Sequence, residues 1–201
     1  MVSNNPLPEL EKFFSSAGTL LLKSSASIAA ECHKEMAEEF SLQLDQDLLA
    51  YECMAMLGSI VLHQAHSKTK QASAVDINLS YGALKESLRK MSIDDPQKQK
   101  YAAWFNDETF HNLIASYFIG VLAGFHFSQE EIQDTSTKYG MEIPTAPGID
   151  VMFFGLLVRL FRMAEIAKIN GASEQQKAGG RIIQIAETGI STFGLELQTI
   201  A

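Results

Sequence analysis

Helix-length apolar runs, separated by residues that begin or end helices, constrain the fold of this chain more than any other feature. The clearest start signal is Phe127-Ser128-Gln129-Glu130-Glu131-Ile132. Ser128 and Glu131 have the spacing of a capping box, and Phe127 and Ile132 have the spacing of the hydrophobic staple that accompanies it. No segment between the apolar runs has the alternating pattern that indicates a strand. The pattern therefore predicts an all-α protein.

The length of the chain favours one domain. Its 201 residues fall close to the roughly 100–200 residues of a typical domain. The longest polar connections, near 69–80 and 140–149, are too short to divide it. We therefore expect a single all-helical domain over 1–201, a bundle of about six to eight helices by their start and stop signals.

Apolar spacing and capping residues also predict where the helices lie. The expected ranges are 7–16, 19–40, 48–68, 81–91, 96–124, 129–139, 149–169 and 174–193. Three boundaries rest on particular residues. Gly18 separates the first two helices. The helix that Asp95 caps before Pro96 is expected to continue through Asn106-Asp107 to Gly124, and the alternative is a break at Asn106-Asp107. Ser173 and Gln176 form a capping box for the last helix.

The segment 48–66 is apolar on nearly all sides, which is typical of a helix that is buried on most of its faces. We expect it at the centre of the bundle, with 109–125 and 149–169 beside it. Two apolar helices and a third that is rich in phenylalanine exceed what one small bundle easily covers. This excess predicts a homodimer.

Charge and composition exclude several classes of function. The net charge is −8, and the basic residues show no run longer than two, so we expect no nucleic-acid partner. No signal peptide is visible, and the best membrane candidate, 114–127, is shorter than the roughly 20 residues of a span. We expect a cytoplasmic protein without a membrane partner, in which Cys32 and Cys53 are reduced core residues.

Four side chains have the spacing of metal ligands. Glu108 and His111 form Glu-x-x-His on one helix face, and His63 and His66 are also three residues apart. Di-iron bundles use Glu-x-x-His twice, but this chain has it only once. The two pairs would supply one mononuclear site if their helices face each other. The alternative interpretation is a first-turn acid and a polar helix end.

Three charged residues within apolar helices are candidates for ligand binding. Glu52 lies in the central segment, where a carboxylate must be hydrogen-bonded, paired or neutral. Arg159 and Arg162 are three apart, and together they would suit a phosphate or carboxylate. The alternatives are a buried or partly exposed structural Glu52 and a solvated arginine stripe. Glu52 and Arg159 would also suit each other as partners.

The chain contains no phosphate-binding loop, nucleophile elbow, Cys-x-x-Cys or dinucleotide fingerprint. The sequence therefore predicts a non-enzymatic interaction or regulatory protein of the cytosol that associates with itself and possesses a protein-binding surface. The alternative is a helical-bundle enzyme or ligand-binding protein, with a metal or small molecule between central helices. The identity of any cofactor is left open.

Overall fold

The computed structural model describes residues 7–68, 77–123 and 169–200, and within these residues it contains six α-helices and no strand. The all-α prediction is confirmed. The helices are α1 Leu7–Phe40, α2 Gln46–Lys68, α3 Ile77–Met91, α4 Pro96–Trp104, α5 Glu108–Ala123 and α6 Ala172–Thr199. The predicted capping box at Ser128 and the predicted helices 129–139 and 149–169, except for Ile169, lie outside the described residues.

Helix α1 is continuous over 34 residues, so the predicted interruption at Gly18 is wrong. A glycine inside a helix costs about 1 kcal/mol relative to alanine, and packing readily outweighs that cost. Here the missing side chain lets the end of α3 approach. A Cβ on Gly18 would lie 2.5 Å from Cε of Met91 and 3.3 Å from Cδ2 of Leu88.

Helix α2 is the buried centre of the bundle, as the sequence predicts. It runs back along α1 after a short connection, in which Ser41 adopts a positive φ of 54°. Oδ1 of Asp45 accepts hydrogen bonds from the N–H groups of Asp47 and Leu48, at 3.0 and 3.1 Å. This cap starts α2. Its fully buried side chains include Met54, Ala55, Met56 and Leu57.

The favoured prediction of a continuous helix from Pro96 to Gly124 is wrong, and the alternative, a break at Asn106-Asp107, is what the structure shows between α4 and α5. The N–H groups of Phe105, Asn106 and Asp107 donate to carbonyls three residues back, which tightens the end of α4. Asp107 Oδ1 then accepts from the N–H of Thr109 at 2.9 Å, which begins α5. A side chain that competes for backbone donors outweighs the helical spacing of the apolar residues.

Helix α6 lies antiparallel to α1. Arg181 Nη2 and Glu35 Oε2 are 2.8 Å apart, while Gly189 lies against Ile28. The helix starts after Gly171, which has a φ of 98° and makes no side-chain cap. The predicted capping box at Ser173 is therefore wrong, because Ser173 lies within the first turn.

Helix α2 also has the length and composition of a membrane span over Gln46–Ala65. Most of that segment is buried inside the bundle, which is what a core helix requires. Because the segment is mostly buried, its length and composition are only weak support for a membrane helix.

Candidate functional site

The structure does not bring His63 together with Glu108 and His111. Helices α2 and α5 are packed in parallel, since the rings of Tyr51 and Phe110 are 4.7 Å apart and Gly58 faces Ile114. His111 follows Phe110 directly. His63 comes twelve residues after Tyr51, or about 18 Å along the helix axis at 1.5 Å per residue.

No group of three or more His, Cys, Asp or Glu side chains is placed to hold a metal within residues 7–68, 77–123 and 169–200. His63, Glu108 and His111 therefore form no such group by themselves. The side chain of His66 lies outside the described ones. Glu108 is exposed in the first turn of α5, where the helix dipole stabilises a carboxylate.

His111 has a packing role. Its ring lies 4.3 Å from that of Tyr81, centre to centre, and is tilted by 39°. The Tyr81 hydroxyl donates to the carbonyl of Phe105 at 3.1 Å, and burial raises the pKa of Tyr81. These contacts join α3 to the start of α5.

Glu52 is buried, with 3% of its surface exposed. Its carboxylate is one of the charges near Cys53, whose pKa is raised first by burial and then by Cys32 and Glu52. Arg159 and Arg162 lie outside the described residues. The ligand-binding role of these three residues remains a prediction.

Cys32 and Cys53 are free, buried thiols on the facing helices α1 and α2, as the sequence predicts. Burial, followed by the charges of Glu31 and Glu35, raises the pKa of Cys32 to about 12. Both thiols are therefore protonated at neutral pH. A buried thiol with a raised pKa is a poor nucleophile.

A groove of about 470 Å³ lies where α1 meets the junction of α3 and α4. Sequence reasoning missed it as a site. Its walls come from three separate parts of the chain, and most of their surface is apolar. The lining residues are Thr19, Leu22, Lys23, Ala26, Met91, Asp95, Gln97, Lys98 and Tyr101.

The α1 wall is a single stripe, because positions 19, 22, 23 and 26 are spaced by three and four residues. Leu22 is buried and Ala26 is half-buried, whereas Thr19 and Lys23 are exposed. The hydroxyl of Thr19 lies 3.1 Å from Sδ of Met91 and 3.2 Å from the carbonyl of Ser15. These contacts hold the end of α3 against α1.

The α4 wall is fixed by its own N-terminal cap. Asp95 Oδ1 accepts from the N–H groups of Gln97 and Lys98, at 3.0 and 3.1 Å. These hydrogen bonds, led by the one from the Lys98 backbone, lower the pKa of Asp95. Lys98 Nζ also lies 3.1 Å from Asp95 Oδ2. The Asp95 carboxylate thus offsets the partial positive charge at the N-terminus of α4.

Polar groups converge on the groove from both walls. Gln97 Nε2 donates to the hydroxyl of Tyr101 at 3.2 Å, and Tyr101 is 3% exposed. No ion pair or side-chain hydrogen bond of Lys23 occurs in the described part of the chain. The lining contains no histidine, cysteine or serine. The arrangement suits binding.

No protein-family model, curated protein or solved structure matches this chain. The functional conclusion therefore rests on the fold and on the groove.

One local signal for the groove is present in the sequence. Thr19 and Lys23 lie beside Leu22 and Ala26 at the three- and four-residue spacing of one helical stripe. The pairing of that stripe with the α3–α4 junction depends on packing between residues that are about seventy positions apart, for example Thr19 and Met91. Apolar periodicity within a helix carries no information on such pairing.

Proposed function

We propose that this protein is a non-enzymatic binding protein, and that the groove between α1 and the α3–α4 junction takes a small, mostly apolar ligand. The observation that carries the proposal is the groove itself. Its volume of about 470 Å³ is within the range of roughly 300–1,000 Å³ that ligand sites occupy. Its lining combines an apolar majority with a few polar groups, as such sites do.

Contacts within the protein itself hold the walls of the groove in place. Gly18 allows Met91 and Leu88 to pack closely on α1, and the Asp95 cap fixes the direction of α4. Binding would therefore require little ordering of the protein, which lowers the entropic cost of association.

The test uses a neutral fluorescent probe, N-phenylnaphthylamine, and two alanine-to-phenylalanine variants. Ala26 lines the groove, whereas Ala103 is exposed on the face of α4 that points away from it. We expect Ala26→Phe to fill the groove and weaken the binding of the dye about tenfold or more, since overpacking displaces what occupied the space. Ala103→Phe adds the same ring outside the groove and should leave binding unchanged.

A dye that binds both variants equally well would contradict the proposal. So would the absence of any fluorescence gain with the wild-type protein. Thermal unfolding of both variants, measured in parallel, separates a filled groove from a destabilised bundle.

We also propose self-association as a homodimer, in the cytoplasm and without nucleic acid or membrane. Leu195 on α6 and Ile93 in the α3–α4 connection are 67% and 62% exposed. In the proposed dimer, these two side chains would lie in the apolar core of the interface. The partner in this proposal is a second copy of the chain.

A further inference from the structure

We infer that the groove selects a small anionic amphiphile, whose apolar chain lies along Leu22 and Met91 and whose carboxylate meets the ammonium of Lys23. The inference rests on the proposed function, because it names the ligand class of the same groove. It follows from the way charges and hydrogen-bond donors are distributed over the lining.

The charge of the groove comes from Lys23. Three charged side chains line it, and two of them, Asp95 and Lys98, form an ion pair of 3.1 Å with each other. The remaining ammonium is exposed and has no ion pair within the described residues. The groove therefore has a local charge of one positive unit, in a chain whose net charge is −8.

The N-terminus of α4 does not supply the anion site. Helix N-termini attract anions through their unpaired N–H groups. Here the N–H groups of Gln97 and Lys98 are occupied by Asp95. A ligand carboxylate would also be repelled by the Asp95 charge there, which leaves Lys23 as its counter-charge.

The remaining polar atoms also favour a ligand that accepts hydrogen bonds. The Tyr101 hydroxyl accepts from Gln97 Nε2, so its own hydrogen is available to the groove. A primary amide has a second N–H to donate. Lys23, Tyr101 and Gln97 thus offer donors to a carboxylate.

The apolar share of the lining accommodates the rest of the ligand. Leu22, Ala26 and Met91 present aliphatic and thioether surface, and a methionine side chain adapts its shape to what it contacts. The groove has the volume of one small molecule. The occupant is therefore a free amphiphile, and a membrane surface is an outcome that the test must separate from it.

The experiment measures the displacement of N-phenylnaphthylamine by three ligands with the same chain: decanoate, decanol and decylamine. We expect decanoate to bind most tightly and decylamine most weakly. Lys23→Gln should weaken decanoate about threefold to tenfold, the range for a partly exposed charged hydrogen bond, and leave decanol unchanged. Lys34→Gln is the control, since Lys34 is exposed on α1 about 16 Å further along the axis.

Each result decides the inference. Equal affinities for decanoate and decanol, or equal losses from Lys23→Gln and Lys34→Gln, would overturn it while the groove remains a ligand site. The inference would also be overturned if Ala26→Phe weakens dye binding but none of the three ligands displaces the dye from the wild-type protein. If Ala26→Phe leaves the affinity for the dye unchanged, the proposed function itself is contradicted. Binding to phosphatidylserine vesicles that Lys23→Gln abolishes, without binding of decanoate, would assign the site to a membrane surface instead.

Discussion

Glu52 illustrates how one buried polar residue constrains its surroundings. It is 3% exposed in a helix whose neighbouring positions are almost wholly apolar. A carboxylate in such a place is retained only if its oxygens are compensated. The sequence left open whether Glu52 is buried or partly exposed, because Ser59 and His63 could extend a polar stripe along the same helix.

Replacing Glu52 should therefore be costly in a manner that depends on the replacement. We expect Glu52→Ala to lower the free energy of unfolding by roughly 3–5 kcal/mol, the usual loss when a buried charged group is removed from its partners. Glu52→Gln keeps the shape and part of the hydrogen bonding, so it should cost less. Urea unfolding measures both. Two variants as stable as the wild type would show that Glu52 is not a structural residue of the core.

The glycines of α6 should respond to alanine in opposite directions. A Cβ on Gly189 would lie 2.4 Å from Cγ1 of Ile28, whereas nothing lies within 4 Å of a Cβ on Gly180 or Gly194. We expect Gly189→Ala to destabilise the protein by about 1–3 kcal/mol through overpacking. Gly180→Ala and Gly194→Ala should stabilise it by about 0.5–1 kcal/mol, as helix propensity dictates. Thermal melts would contradict this packing if Gly189→Ala were as stable as Gly194→Ala.

Among the elements, α4 depends most on a single side chain. It has nine residues, and its start is fixed by Asp95 and Pro96. The cap was predictable, because an aspartate before proline is a local signal. The end of α4 was not, since the competing hydrogen bond from Thr109 to Asp107 lies within a run of helical spacing.

The Asp95 cap also gives α4 a pH dependence of known sign. The pKa of Asp95 is lowered in the folded protein, mainly by the hydrogen bond from the Lys98 backbone. A lowered folded pKa adds stability that is fully present above the unfolded value of about 3.9 and is lost as the pH falls through the folded value. We expect the protection factors of the α4 amide protons, which compare each measured exchange rate with the intrinsic rate at the same pH, to fall as the solution is acidified across this window.

Asp95→Asn is the matched control for this effect. Asparagine caps helices about as well as aspartate, so the variant should keep α4 at neutral pH. It lacks the titrating carboxylate, so the protection factors of its α4 amide protons should change less on acidification. An identical response in the wild type and the variant would show that another group causes the pH dependence.

At the scale of the whole molecule, the homodimer is the prediction that reaches beyond one chain. We expect sedimentation at tens of micromolar, a range typical of such interfaces, to show a dimer. Leu195→Glu should shift it towards monomer by burying a charge at the contact. Gln43→Glu is the control, since it adds the same charge at an exposed position just after the C-terminal end of α1. A clean monomer for the wild type, or equal effects of the two variants, would contradict the prediction.

The sequence predicts where the helices of this molecule lie better than it predicts which helices pack against each other. Apolar periodicity is sufficient for the central position of α2, because a helix without a polar face must be covered. It is insufficient for the parallel packing of α2 and α5, which separates His63 from His111. The groove is subject to the same limit, since Lys23 and Met91 belong to different helices and are brought together only by the packing of the bundle.

The most direct test of the groove is a titration of the protein with decanoate, followed through the methyl resonances of its eight methionines. Met91 lines the groove, while Met54 and Met36 are fully buried elsewhere. We predict that the Met91 resonance moves progressively and saturates, with those of Met54 and Met36 unchanged. Saturation at Met54 or Met36 without any change at Met91, or no saturable change at all, would contradict the account.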